Sequence, residues 1–142
     1  MPHLEALLLC DLVVIGQEGK VQLQGIFDSV VVRSLPAQHQ RAWIYFRFYP
    51  EIERQNGGDY RLHLQLHRPS GIRESMPEMK AEPDPSGKIV GFIELRGIPL
   101  HEEGFHRFEL YFNGEEVGHC RFEVKKIPIP QQTGERPNVT VQ

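Results

Sequence analysis

Residues 104–125 read GFHRFELYFNGEEVGHCRFEVK, and this stretch decides the fold of the chain. Apolar and polar side chains alternate on both sides of Asn113-Gly114, which is typical of two strands that each bury one face. Asparagine and glycine both tolerate positive φ, so this dipeptide favours a tight hairpin turn. The stretch therefore predicts an antiparallel hairpin in a half-buried sheet.

The register of this hairpin contains a conflict. A regular two-residue turn at Asn113-Gly114 would place Arg107 opposite Cys120, which mixes the polar face with the apolar face. One extra residue in the returning strand removes the conflict, because a β-bulge shifts the alternation by one position. We therefore predict a bulge or a longer loop within residues 115–119, with Gly118 taking part.

Strand patterns recur along the rest of the chain, between turns rich in glycine, proline, asparagine and aspartate. The segments with strand character are residues 4–15, 21–27, 30–32, 42–49, 60–67 and 88–95. Residues 72–82 indicate a short edge strand or an irregular loop. Together these amount to about eight or nine short strands and no convincing helix, which predicts an all-β, antiparallel two-sheet β-sandwich, Ig-like or jelly-roll-like.

The chain has 142 residues, which suits one domain with a sizeable core. We assign residues 1–126 to the β-sandwich domain. Residues 127–142 are expected to be a Pro-containing extended or disordered tail, because Pro128 and Pro130 lack the amide donor that a central strand needs.

Composition argues against several kinds of partner. The net charge of −3 provides no general attraction to nucleic acid or to an anionic membrane, so we expect neither as a partner. No apolar run approaches the roughly 20 residues that span a bilayer. The N-terminal apolar run is interrupted by Asp11 and lacks a basic flank, so no signal peptide is expected and the chain is assigned to the cytoplasm.

The two cysteines, Cys10 and Cys120, both lie within apolar strand patterns. We interpret them as buried free thiols that act as small hydrophobic residues. They lack the accompanying Cys and His spacing of a zinc site, and no cofactor or metal is assigned to the chain.

No catalytic residue is assigned either, because the chain has no nucleophile elbow and no phosphate loop. Asp11 and Asp28 interrupt apolar runs, and we interpret them as hydrogen-bonded groups at strand ends rather than as an acid pair. His63 and His67 share one strand face but lie about 13 Å apart, too far to bind one metal together. His106 has core-face parity, and we expect it to lie at the end of a sheet or to be hydrogen-bonded, and not to be catalytic.

A candidate interaction face is formed by Trp43, Tyr45, Arg47 and Tyr49. They alternate with apolar side chains, so both faces of this strand are rich in apolar groups. Either the strand is central and covered on both faces, or these residues form an exposed aromatic patch for a protein partner, a second subunit or a sugar ring. Arg47 suits an interface or a cation–π contact.

Two blocks of the chain resemble a family of small bacterial all-β proteins of unknown function. In that family an Ala-Asp or Cys-Asp pair, a Gly-Lys turn, a Gly-x-Phe-Asp segment and a proline follow one another. The matching residues of this chain are Cys10-Asp11, Gly19-Lys20, Gly25-Ile26-Phe27-Asp28 and Pro36. The second block, residues 97–117, resembles the Gly-Phe-x-x-Phe and Asn-Gly hairpin of the family, with Glu103 where proline is more usual. The resemblance implies a β-sandwich and carries over no functional residue.

Three functions are compatible with these patterns. The leading hypothesis is a non-catalytic protein-interaction or assembly module that self-associates. The alternative is a β-sandwich that binds a small ligand or a carbohydrate through Trp43, Tyr45 and Tyr49. The third is an enzyme whose site combines Asp11 and Asp28 with histidines, which requires these groups to converge in one pocket.

Overall fold

Twelve β-strands and one short 3-10 turn make up the part of the chain that is described here, residues 2–50 and 60–128 of a computed structural model. In chain order the strands are β1 (His3–Ile15), β2 (Val21–Ile26), β3 (Ser29–Val32), β4 (Ala37–His39), β5 (Ala42–Tyr49), β6 (Arg61–His67), β7 (Arg73–Ser75), β8 (Met79–Lys80), β9 (Ile89–Leu95), β10 (Ile98–Leu100), β11 (Gly104–Phe112) and β12 (Glu115–Lys126). The all-β prediction is confirmed. More strands occur than the sequence predicts, because β4, β8 and β10 have only three, two and three residues and show no periodic pattern.

The strands form two sheets and a small ribbon. The first sheet has the order β2-β1-β5-β9, and the second has the order β3-β12-β11-β6-β7, with β8 also pairing with β6. β4 and β10 pair with each other as a two-stranded ribbon. The expectation of purely antiparallel sheets is wrong at one pair, since β3 runs parallel to β12. This pair joins strands far apart in sequence, which local turn signals do not predict.

The core lies between the inner faces of the two sheets. β5 alternates strictly between buried and half-buried residues, as its sequence predicts, and β6 does the same after an exposed first residue. The largest fully buried apolar side chains are Ile44, Phe48, Leu64, Leu66, Ile98, Leu100, Phe108, Leu110, Phe122 and Val124. They come from both sheets and the ribbon, so one continuous hydrophobic core holds the sandwich together.

The predicted bulge in the β11–β12 hairpin is confirmed. Asn113 and Gly114 form the turn with φ of 48° and 81°. Leu110 lies opposite Gly118 and Tyr111 lies opposite Glu116, so one residue of β12 between them has no partner on β11. The extra residue restores the separation of the faces, and the polar side chains of both strands share the outer face of the second sheet.

Gly118, which was predicted to take part in the bulge, pairs with Leu110 directly beside the extra residue Val117. A Cβ atom at Gly118 would come within 2.5 Å of the Leu4 side chain on the first sheet. The absence of a side chain therefore lets β12 approach β1 across the sandwich.

The predicted tail lies almost entirely outside the described residues, which end at 128. Within the described ranges, no helix is long and apolar enough to cross a membrane.

Candidate functional site

The candidate interaction face predicted from the sequence lies on the outside of the first sheet. We call it the aromatic face and define it by the β5 residues and their exposed apolar neighbours on β1 and β9. These residues are Trp43, Tyr45, Arg47, Tyr49, Leu8, Val90 and Phe92. β5 lies between β1 and β9, so it is an interior strand, as the first of the two interpretations required. That interpretation also required a covered outer face, but no other layer of the described chain covers it.

Aromatic and aliphatic side chains pack side by side across this face. Tyr45 lies between Leu8 on β1 and Phe92 on β9 in the strand register. The rings of Trp43 and Phe92 make an edge contact with centroids 5.6 Å apart. Leu8, Phe92 and Val90 are 37%, 39% and 40% exposed, while the four residues of β5 are half-buried. The result is a contiguous apolar patch on a sheet surface that is partly open to solvent.

The aromatic face is bordered by charges of both signs. The Arg47 guanidinium donates to the carboxylate of Glu5, with Nε and Oε1 2.7 Å apart. At the opposite end, Glu94 pairs with Arg96 and lies 3.9 Å from Arg41. The hydrogen bond from Arg96 holds the pKa of Glu94 below its ordinary value. The border therefore presents fixed pairs of opposite charges.

Trp43 has one polar atom without a partner. Its indole N–H is buried and has no hydrogen-bond acceptor among the described residues. A buried indole N–H usually has an acceptor when a tryptophan serves only as a packing group.

A second candidate site, which the sequence analysis missed, lies at the end of the second sheet. It is a shallow cavity of about 240 Å³ that we call the basic cavity. Its principal lining residues are His67, Arg68, Phe105, His106, Arg107 and Arg121. Three arginines and two histidines thus line one concave surface.

The hairpin register brings these groups together. Arg107 on β11 lies opposite Arg121 on β12 and opposite His67 on β6. Paired residues of antiparallel strands point to the same face, so the three side chains form one row across the sheet. The bulge predicted from the sequence implies that Arg107 and Arg121 are opposite each other, and this was the one signal that could have revealed the site.

Like charges that face each other on a sheet are destabilising, and each arginine here has a contact that offsets the repulsion. Arg107 makes an ion pair with the buried carboxylate of Glu109, with Nη2 and Oε2 2.9 Å apart. Arg68 pairs with Glu74. The Arg121 guanidinium lies 4.6 Å from the centre of the Phe105 ring, a cation–π contact.

Several polar atoms of the cavity residues are buried without a partner in the described part of the chain. They are Nε of Arg68, Nε of Arg107 and Nε2 of His106. His106 is hydrogen-bonded through Nδ1 to the carbonyl oxygen of Gly104 at 3.1 Å, which confirms the prediction for this residue. Burial lowers the pKa of His106, so its ring is neutral near pH 7.

The other residues considered from the sequence do not gather in one place. Asp11 and Asp28 are both exposed. His63 stacks on Tyr111 with ring centroids 5.2 Å apart. Within residues 2–50 and 60–128, no group of three or more His, Cys, Asp or Glu side chains is arranged to hold a metal ion.

Both cysteines are free thiols, as predicted, with Cys10 buried and Cys120 half-buried. Burial raises the pKa of Cys120 to about 12 from 9.0. The thiolate, not the thiol, is the reactive species, so Cys120 has the character of a packing residue.

This pKa shift predicts a loss of stability in alkali. The folded-state pKa of Cys120 exceeds the unfolded value of 9.0. The contribution of its buried thiol to the free energy of unfolding is therefore complete below pH 9 and disappears as the pH rises toward 12. Urea unfolding of the wild type and of Cys120→Ala across this range should show a steeper decline for the wild type. Parallel pH profiles for the two proteins would contradict the assignment.

Comparison with known proteins places the chain in a family. The sequence profile of a family of unknown function (DUF6941) matches residues 5–125. No curated protein matches the sequence significantly. Similar solved structures include a Pseudomonas fluorescens alkylpurine DNA glycosylase, AlkC, bound to DNA containing an abasic site analog. Its TM-score is 0.49 and its identity 11%, over 87% of this chain and 30% of the glycosylase chain.

This comparison corrects one expectation. Nucleic acid was excluded as a partner on the basis of net charge, and that exclusion is wrong, since a protein with a partly similar arrangement is bound to DNA. Net charge describes the whole molecule, whereas binding depends on local groups such as those of the basic cavity. The likeness itself assigns neither DNA binding nor an activity to this chain, which spans under a third of that enzyme.

Proposed function

We propose that this chain, which belongs to the family of unknown function matched over residues 5–125, is a non-catalytic cytoplasmic interaction module that self-associates through its aromatic face. The observation that carries the proposal is the contiguous patch of Leu8, Tyr45, Phe92 and Trp43 on an open sheet surface. Removing such a patch from water is favourable by about 25 cal/mol per Å² of apolar area. The free thiols Cys10 and Cys120 suit a reducing compartment.

A second copy of the chain suits this face better than a partner of uniform charge. In a two-fold interface, each patch meets the same patch of the partner subunit, so the surface must complement itself. The border offers both signs of charge, Arg47 with Glu5 at one end and Arg41 with Glu94 at the other. Such a border allows charge pairs to form across the two-fold axis without net repulsion.

The unpartnered indole N–H of Trp43 also supports an interface here. Tryptophan is enriched at the energetic centres of protein interfaces, where its ring packs and its N–H finds an acceptor. The aromatic face therefore combines apolar area with a tryptophan whose N–H has no acceptor among the described residues.

Size-exclusion chromatography with light scattering tests the proposal. We expect the wild type to form a dimer and Phe92→Glu to shift it to the monomer, because a charge at the centre of the patch opposes its burial. A tenfold or larger increase in dissociation constant corresponds to about 1.4 kcal/mol or more. Ile72→Glu is the matched control, since Ile72 is 52% exposed in the β6–β7 turn, outside the aromatic face.

A wild type that stays monomeric at high concentration would refute self-association. Equal weakening by Phe92→Glu and Ile72→Glu would refute the location of the interface. Trp43 is the single tryptophan of the chain, so its fluorescence reports directly on this face. A saturable response to one compound in a panel of glycans and metabolites, from a monomeric protein, would favour the ligand-binding alternative.

A further inference from the structure

We propose that the basic cavity binds the phosphate group of a small phosphomonoester, with Arg121 as the principal charged contact. The cavity lies on the second sheet, and the aromatic face lies on the outside of the first. The inference therefore does not depend on self-association.

One arginine of the cavity is available to an anion. Of the three guanidinium groups, Arg68 is paired with Glu74 and is also within electrostatic range of the Glu102 carboxylate, and Arg107 is paired with Glu109. Arg121 makes no ion pair within the described residues, and its guanidinium lies over the Phe105 ring. An exposed arginine in a concave site can donate hydrogen bonds to an oxyanion.

The placement of the arginines supports the same conclusion. Arg107 and Arg121 lie opposite each other in the strand register, and Arg68 lines the same cavity. Phosphate offers several strong acceptor oxygens in a compact group, so one anion can accept hydrogen bonds from more than one guanidinium group.

The walls of the cavity are held in place before any ligand binds. Glu102 accepts hydrogen bonds from the backbone N–H and the hydroxyl of Ser70, at 3.3 and 2.8 Å. These bonds tie the turn after β6 to the connection that precedes β11. A Cβ atom at Gly104 would lie 3.1 Å from the Pro69 ring, so the two loops are in close contact. A preformed site avoids the cost of ordering its loops on binding.

The dimensions of the cavity indicate a compact ligand. Its volume of about 240 Å³ is below the roughly 300–1,000 Å³ of typical sites for drug-sized molecules. A phosphate group with a small organic substituent matches this size. Phe105 is 52% exposed at the rim and provides an apolar surface for that substituent.

Isothermal titration calorimetry on the full chain tests the proposal. The probes are inorganic phosphate, a hexose 6-phosphate, a nucleoside 5′-monophosphate and a short single-stranded oligonucleotide. We expect saturable binding of at least one phosphomonoester, tighter than that of inorganic phosphate. Arg121→Gln should weaken this binding at least tenfold, because it removes the cavity guanidinium that has no carboxylate partner among the described residues. The side chain is exposed, so the variant should still fold.

The matched control is Arg61→Gln, which removes an exposed arginine from the same sheet at the opposite end of β6, about 20 Å away. The affinity of Arg61→Gln for the phosphomonoester should stay within twofold of the wild-type affinity. Failure of all the phosphomonoesters to bind overturns the proposal. Equal weakening by the two variants also overturns it, because that result indicates a non-specific charge effect. An oligonucleotide that binds more tightly than every phosphomonoester overturns it as well.

Discussion

Replacing Phe48 with alanine is expected to lower the free energy of unfolding by about 3–5 kcal/mol. Phe48 is fully buried in the hydrophobic core. Its ring centroid lies 5.5 Å from that of Phe112 on the second sheet and 6.2 Å from that of Phe46 on its own strand. The substitution therefore leaves a cavity between the sheets and removes an aromatic contact that joins them.

Urea or guanidinium unfolding measures this effect, with Phe105→Ala as the matched control. Phe105 is 52% exposed, and its main described contact is the Arg121 guanidinium. Phe105→Ala should lower the free energy of unfolding by about 1 kcal/mol or less. Similar losses of stability for the two variants would contradict the placement of Phe48 between the sheets.

Replacing Glu109 with alanine is expected to lower the free energy of unfolding by about 2–3 kcal/mol, the second largest effect. Glu109 is only 2% exposed although it carries a charge, and it lies on the outer face of the second sheet. Its carboxylate pairs with Arg107 and accepts a hydrogen bond from the Tyr111 hydroxyl at 3.3 Å. Without it, the guanidinium of Arg107 remains beside that of Arg121 with no counter-charge. The part-exposure of Arg107 keeps the cost below that of a fully buried pair.

Glu94→Ala is the control, because the ion pairs of Glu94 with Arg96 and Arg41 involve arginine side chains that are largely exposed. Such pairs contribute about 1 kcal/mol or less. The double variant Glu109→Leu, Arg107→Leu should recover part of the stability lost in Glu109→Ala, since it removes the unpaired charge. A double variant less stable than Glu109→Ala would show that the charge pair is not the source of the cost.

The two proposed sites are separable by experiment because they lie on different sheets. Phe92→Glu on the first sheet should leave phosphomonoester binding intact. Arg121→Gln on the second sheet should leave the oligomeric state intact. Loss of both properties in one variant would indicate a general change in the fold, which the unfolding measurements detect independently.

Local patterns in the sequence were sufficient for the longer strands and for one register. Alternation predicted β5 at its observed bounds and β6 within one residue, because a side-chain period of two has no other regular explanation over seven or eight residues. The bulge in β12 was predictable for the same reason: a slipped register would have moved a whole polar face into the core. The same alternation placed Trp43 and Tyr45 on one face.

Only the tertiary structure decided which distant residues became neighbours. Arg68 and Arg121 are separated by more than 50 positions, and they share a cavity because β6 pairs with β11 and β11 with β12. The parallel pairing of β3 with β12 is equally invisible to local patterns. The order of strands in a sheet is set by how the inner faces pack together over the whole core, and no short stretch of sequence contains that information. The half-burial of Trp43 and the lack of a carboxylate partner for Arg121 among the described residues are consequences of that packing.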